Sequence, residues 1–139
     1  MDISTQYRLE VRGGSEIVAR ARAWAGEIAL RLGADWQAAA DFTLAVSEAC
    51  TNVVRYAYAG QDESQLIITA RRIGERVVFR VRDYGQKFDP SAVRPPDLQG
   101  DPTIGGYGIY LMRRVMDNIW YGTGHPDGTE LMLVRRRRR

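Results

Sequence analysis

Residues 42–53 read FTLAVSEACTNV and place Glu48 and Asn52 four positions apart inside an otherwise apolar run. In a helix, residues i and i+4 share one face, so this carboxylate and carboxamide can meet a single magnesium–phosphate group together. From Asp35 to Tyr58 the apolar residues Trp36, Ala39, Phe42, Val46, Ala49, Val53 and Ala57 recur at three- and four-residue steps, the stripe that a helix buries against a sheet. Asp35 is the expected N-cap and Gly60 the expected stop. Glu48, Asn52 and Tyr56 fall on the border of the stripe. Taken alone, an E-x-x-x-N pair describes solvated edge residues as well as it describes a site, so its meaning depends on the rest of the chain.

Working outward, residues 4–12 alternate as a strand, and a helical repeat through Ile17, Ala21, Trp24, Ala25, Ile28 and Leu32 follows Ser15 and ends at Gly33. Beyond the central helix, 65–72 and 76–83 are β-rich runs joined by Ile73-Gly74-Glu75, which reads as a hairpin. Residues 84–104 are rich in Pro, Gly and Asp and read as a long loop of the kind that carries function. Ile109, Leu111, Met112, Val115 and Met116 mark a short helix. Two last strands, about 118–123 and 129–135, flank the turn sequence His125-Pro126-Asp127-Gly128. The order predicts an α+β two-layer sandwich, a mixed and mainly antiparallel sheet with helices on one face, folded as a single domain over 1–139.

Composition sets the outer limits. The 139 residues suffice for one core, 45% are hydrophobic, and no apolar run approaches the length of a membrane span, so a soluble cytoplasmic protein with no membrane contact is expected. One Cys and one His exclude an internal disulfide and a zinc ligand set; Cys50 reads as a small buried helix residue. Formal net charge is +3, but Arg135 to Arg139 supply five positive charges, so the other residues carry −2. The body is not basic, the Arg run reads as a solvated tail, and no direct nucleic-acid partner is expected. Trp24, Trp36 and Trp120 read as core or rim packing.

Two further segments carry chemistry. Val77, Phe79 and Val81 share a strand face with Asp83, so the inward register delivers a carboxylate to the edge of the core. There it needs a donor, either a turn N–H or a ligand amino group, because an unpaired buried charge is costly. Gly85, two residues on, leaves room for a flat ring to approach the backbone. Gly105-Gly106-Tyr107-Gly108 precedes the short helix, where exposed N–H groups and the helix start suit phosphate oxygens; hinge glycines of a lid would look the same. The cluster is not a P-loop, and it does not follow a strand as a dinucleotide fingerprint would.

Taken in order, SEACTN, RDYG, GGYGIYLMRRVMD and DGTELML resemble the N box, the glycine boxes and the terminal Gly-Thr of the GHKL ATP-binding superfamily, whose fold is the Bergerat sandwich. The resemblance spans roughly residues 40–135. SEACTN..RYAY, DYG..FDP and GGYGIYLMRRVMD are similar to the branch of anti-sigma-factor serine/threonine kinases. The resemblance implies ATP and Mg²⁺ as cofactors, Glu48 as general base and Asn52 as the Mg²⁺ ligand. It implies Asp83 as acceptor from the adenine amino group, supported by Thr129, with Gly85 making room for the base. Gly105, Gly106, Tyr107 and Gly108 fall in the implied phosphate lid; for Tyr107 the plainer reading is that it only covers the lid.

One departure is plain: D-x-G-x-G in the family reads D-Y-G-Q-K here, so Lys87, the chain's one Lys, stands where a glycine is common. Its ammonium either reaches phosphate or sits exposed in a loop; Arg55 is equally open in meaning. The implied activity is transfer of the γ-phosphoryl group to a Ser or Thr of an anti-anti-sigma protein of STAS fold, by a chain that also holds a sigma factor and forms a homodimer. Three alternatives share parts of this pattern: a histidine-kinase catalytic domain, a nucleotide-binding regulator without kinase activity, and an interaction domain alone.

Overall fold

The computed structural model describes residues 5–88, 107–122 and 124–139. Gly105, Gly106 and most of the 84–104 segment lie outside the described residues. Strand β1 (Gln6–Gly13) leads into helices α1 (Glu16–Arg31) and α2 (Trp36–Asn52), the latter continued by a π-helical segment, Val53–Ala57. Strands β2 (Ser64–Ile73) and β3 (Arg76–Asp83), helix α3 (Tyr107–Val115), and strands β4 (Asn118–Gly122) and β5 (Glu130–Arg136) follow. The spatial order is β1-β2-β3-β5-β4. All four pairings are antiparallel, so the described sheet is not mixed as expected.

Alternation decides which side is covered. Leu66, Ile68 and Ala70 of β2, Val77, Phe79 and Val81 of β3, and Leu131 and Leu133 of β5 are buried in one cluster with α1 and α2. Phe42 of α2 stacks on Phe79 at 4.7 Å between ring centroids, and Trp24 of α1 meets the same ring edge-on at 6.0 Å. The hairpin turn is Gly74-Glu75, with Gly74 at φ 60, and Ile73 already pairs with Arg76.

Helix α2 starts as its sequence predicts, with the Asp35 side chain accepting from the Ala38 N–H at 2.8 Å. Of the predicted stripe, Ala39, Phe42, Val46, Ala49, Val53 and Ala57 are buried, but Trp36 is 80% exposed. At 3.6 residues per turn Trp36 stands about 110° from the centre of the buried arc, because the two three-residue steps that link it to Phe42 each drift by about 60°. Trp120 is also largely exposed, at 54%. Only Trp24 packs as expected.

The Arg run is not a solvated tail. Alternation along β5 points Arg135 the same way as Leu131 and Leu133, and its Nε donates to Asp41 of α2 at 2.8 Å. Arg137 reaches Glu75 at 2.9 Å, and its carbonyl accepts from the Asp35 N–H at 2.8 Å. Arg139 pairs with Asp117 at 2.8 Å. A run of like charges is here distributed over three separate carboxylates. No helix among the described residues is long and apolar enough to cross a membrane.

Candidate functional site

The site lies where the C-terminal end of α2 meets the end of β3 and the start of α3. Glu48 and Asn52 stand side by side on the border of the buried face of α2, both partly exposed. Burial pushes the Glu48 carboxyl above its ordinary range, and nearby Arg55 opposes the shift. Gly108, the second residue of α3, fits directly against the pair: a Cβ there would lie 3.1 Å from Glu48 Oε2 and 3.4 Å from both side-chain polar atoms of Asn52. A nine-residue helix thus begins over the acid–amide pair, and its first N–H groups, which have no carbonyl acceptor within the helix, suit an anion.

Asp83 ends β3 on the covered side and is 1% exposed. Its carboxyl is pushed up to about 6, chiefly by burial, while hydrogen bonds from the Gly85 and Thr129 main-chain N–H groups pull the other way. The Gly85 N–H donates to Asp83 Oδ1 at 3.1 Å, so the carboxylate does cap its own turn. Thr129 is 2% exposed, and its hydroxyl oxygen is buried without a hydrogen-bond partner among the described residues. Both line one pocket with Asn52 and Ala49, closed on its apolar side by Val53, Val81, Leu131 and Phe88. An orphaned buried hydroxyl beside a desolvated carboxylate suits a ligand that brings both donor and acceptor groups.

The π-helical segment shapes the rim. Its widened turn, closed by the Tyr58 N–H on the Val53 carbonyl at 3.2 Å, presents the Ala57 carbonyl to the Gln86 N–H at 2.8 Å. Gln86 Nε2 donates to the Tyr56 carbonyl at 2.7 Å. A Cβ on Gly85 would fall 2.3 Å from the Ala57 oxygen, so this glycine lets two backbones touch. Tyr58 completes the frame: its hydroxyl donates to the Gln65 carbonyl at 2.8 Å and accepts from the Tyr84 N–H at 3.0 Å. Such π turns recur at functional sites, and residue periodicity does not announce them.

Of the expected site residues, Glu48, Asn52 and Gly108 are thus brought together, and Asn52 also borders the pocket of Asp83 and Thr129. Gly85 stands at that pocket's rim. Lys87 is exposed, next to Phe88. Tyr107 opens α3. Tyr58 and Phe88 lie in the stretches RYAY and DYG..FDP, which give neither of them a role; Phe88 packs on Tyr56 at 5.8 Å between centroids and forms a wall of the pocket.

The sandwich thus sets an acid–amide pair under the start of α3 and a buried acid at the end of the sheet. The model of the histidine kinase-like ATPase domain matches residues 14–135, and the chain belongs to that family. Within it the chain belongs with the serine-protein kinases. Serine-protein kinase RsbW of Listeria monocytogenes serotype 4a is 30% identical over 118 residues, covering 80% of this chain and 75% of that protein. The protein of the same name from Bacillus cereus (strain Q1) is 28% identical over 142 aligned residues, covering 97% and 87%. The nucleotide-free catalytic domain of histidine kinase ThkA superposes with a TM-score of 0.52 at 12% identity over 95% of this chain and 98% of that one, a likeness of fold.

Proposed function

We propose that this chain is a cytoplasmic, ATP-dependent serine/threonine-protein kinase and anti-sigma factor that phosphorylates a STAS-domain anti-anti-sigma partner and otherwise holds a sigma factor inactive. The observation that carries the site reading is the double position of Asn52, which borders Glu48 and Gly108 on one side and the Asp83–Thr129 pocket on the other. One nucleotide laid across Asn52 would put its base against Asp83 and its phosphates under the start of α3.

In this reading the Asp83 carboxylate accepts from the adenine amino group and the Thr129 hydroxyl takes the remaining ring contact. Asn52, with Glu48 beside it, offers hard oxygen donors suited to Mg²⁺, which takes its other ligands from phosphate and water. Bound there, the ion would neutralise phosphate charge. The first N–H groups of α3, together with Gly105 and Gly106, receive phosphate oxygens, and the Lys87 ammonium adds a positive charge nearby. Glu48 takes the proton of the attacking Ser or Thr hydroxyl, and its raised pKa brings it closer to working pH. Phosphoryl transfer depends on such positioning more than on covalent chemistry.

The test is a calorimetric titration with Mg-ATP, followed by mixing with a candidate STAS protein and labelled ATP. Glu48→Gln should keep nucleotide affinity and lose roughly 10²- to 10⁴-fold in transfer, whereas Asn52→Ala should weaken Mg-ATP binding itself. Absence of magnesium-dependent binding would overturn the whole reading. Binding without transfer by the native chain would leave a nucleotide-binding regulator.

A further inference from the structure

The side of the sheet that no helix among the described residues covers carries a graded surface. Register places Arg8, Thr69, Arg80, Met132 and Trp120 opposite one another in a single row across all five strands. The row behind it runs Gln6, Arg71, Val78, Val134 and Asn118. A third row on this face runs Glu10, Ile67, Arg82, Glu130 and Gly122, so the arginines gather on the β1–β3 half and the exposed apolar side chains on the β5–β4 half, with a glutamate in each.

A depression of about 420 Å³ lies over the basic half, with Ile67 and Val78 in its floor and Arg8, Arg71, Arg80 and Arg82 around it. Glu130 is the one carboxylate among its lining residues. Three of the four arginines are paired, Arg8 with Glu10, Arg80 with Glu130 and Arg82 with Asp127, which leaves Arg71 as the excess positive charge. Arg8 pairs with Glu10 at the β1 rim at 3.6 Å, and Arg80 with Glu130 at 3.2 Å. Both Arg side chains are more than half exposed, and pairs so wet hold their partners weakly. Arg71 is exposed, and no carboxylate pairs with it among the described residues.

At the apolar end Trp120 is 54% exposed, and its ring lies over Gly122, where a Cβ would fall 2.6 Å from it. The glycine lets a large aromatic lie along the strand beside Met132 and Val134, in a second depression that shares Arg80 and Glu130 with the first. Exposed Trp together with Arg is the composition of binding hot spots.

We propose that this open face docks an amphipathic helix of a partner protein, acidic at the end over Arg8 and Arg71 and apolar at the end over Met132 and Trp120. Five strands span about 19 Å between their outer axes, which a helix of about thirteen residues crosses. A small anion would use the arginines and ignore the tryptophan. The nucleotide site is on the helix-covered side, so this docking stands or falls independently of it.

The probe is a fluorescein-labelled helical peptide with Glu in its first two turns and Leu and Phe in its last two, compared with its Glu→Lys counterpart. The acidic peptide should bind, quench Trp120 and weaken steeply with salt, and the lysine peptide should not bind. Arg71→Glu and Trp120→Ser should each weaken binding more than tenfold while Mg-ATP affinity, measured in the same samples, stays unchanged and reports intact folding. Equal binding by either variant, or no binding by the native chain, overturns the proposal. So does tripolyphosphate competing fully with no dependence on Trp120, or a dimer in sedimentation that Trp120→Ser dissociates.

Discussion

The Asp83 N–H donates to the Thr129 carbonyl at 3.0 Å, carrying the β3–β5 ladder one residue past its last pair and fixing both side chains in one pocket. Sheet hydrogen bonding therefore sets the distance between the two groups read here as contacting the purine. Gly128, at φ +67, makes the arrangement possible, because a Cβ there would fall 2.0 Å from the Asp83 carbonyl oxygen. The chain turns into β5 on the only residue type that fits.

The first prediction concerns pH. The Asp83 pKa, pushed up to about 6 by burial, exceeds its unfolded value of about 3.9, so the native state holds this proton more tightly. The sign follows: the contribution to stability is fully present below about pH 4 and is lost as pH rises through about 6. Asp83→Asn keeps an oxygen for the Gly85 N–H and removes the charge. The nucleotide-free variant should be more stable than the native chain at pH 7.5 by on the order of 2 kcal/mol, with the gap closing towards pH 4 in urea titrations. Adenine nucleotide affinity should fall in the same variant. A stability gap independent of pH would show that Asp83 is not the desolvated acid described.

Gly108→Ala separates helix propensity from site geometry. Alanine in a helix is worth up to about 1 kcal/mol over glycine, and Gly108 lies in the first turn of α3, so stability should hold or rise slightly. The added Cβ, 3.1 Å from Glu48 Oε2, would push on the acid–amide pair. Phosphotransfer should drop at least tenfold with little change in Tm. If transfer is unaffected, the close fit of α3 on Glu48 has no bearing on the chemistry.

Much of this arrangement was legible in the sequence because it follows from period. The i, i+4 spacing placed Glu48 and Asn52 on one face of α2, and alternation from Val77 to Asp83 delivered the carboxylate inward, as the register confirms. The π turn after Asn52 was not legible, since one widened turn shifts the hydrogen-bond ladder without altering the apolar pattern. Trp36 misled because spacing over two turns cannot separate the middle of a stripe from its edge. Arg135 misled because a run of like charges hides which of its members the strand turns inward. The all-antiparallel sheet depends on how β5 inserts between β3 and β4, a long-range pairing that no local signal encodes.

Tyr58 tests how the rim is held. Its hydroxyl is a bridge between the Gln65 carbonyl and the Tyr84 N–H, one residue beyond Asp83. Tyr58→Phe leaves both main-chain groups short of a partner and should cost about 1–3 kcal/mol. Because Tyr84 follows Asp83 directly, nucleotide affinity should weaken as well, with the transfer rate at saturating ATP largely kept. Loss of stability with unchanged affinity would confine Tyr58 to the fold.

Arg135 and Asp41 form the buried end of the Arg run, their side chains 3% and 13% exposed at a separation of 2.8 Å. Removing one member of such a pair leaves the other charge desolvated, so Arg135→Ala should lose about 3–5 kcal/mol. Replacing both by apolar residues of similar volume removes the uncompensated charge along with the pair. Arg135→Met with Asp41→Leu should therefore recover most of the loss, and a double-mutant cycle in guanidinium measures the coupling. Arg138, whose side chain is exposed two residues past the end of β5, is the control: Arg138→Ala should shift stability by less than about 0.5 kcal/mol. If Arg135→Ala behaves like that control, the C-terminal arginines are the solvated tail that their composition suggests, and the clasp of β5 onto α2 contributes nothing to the fold.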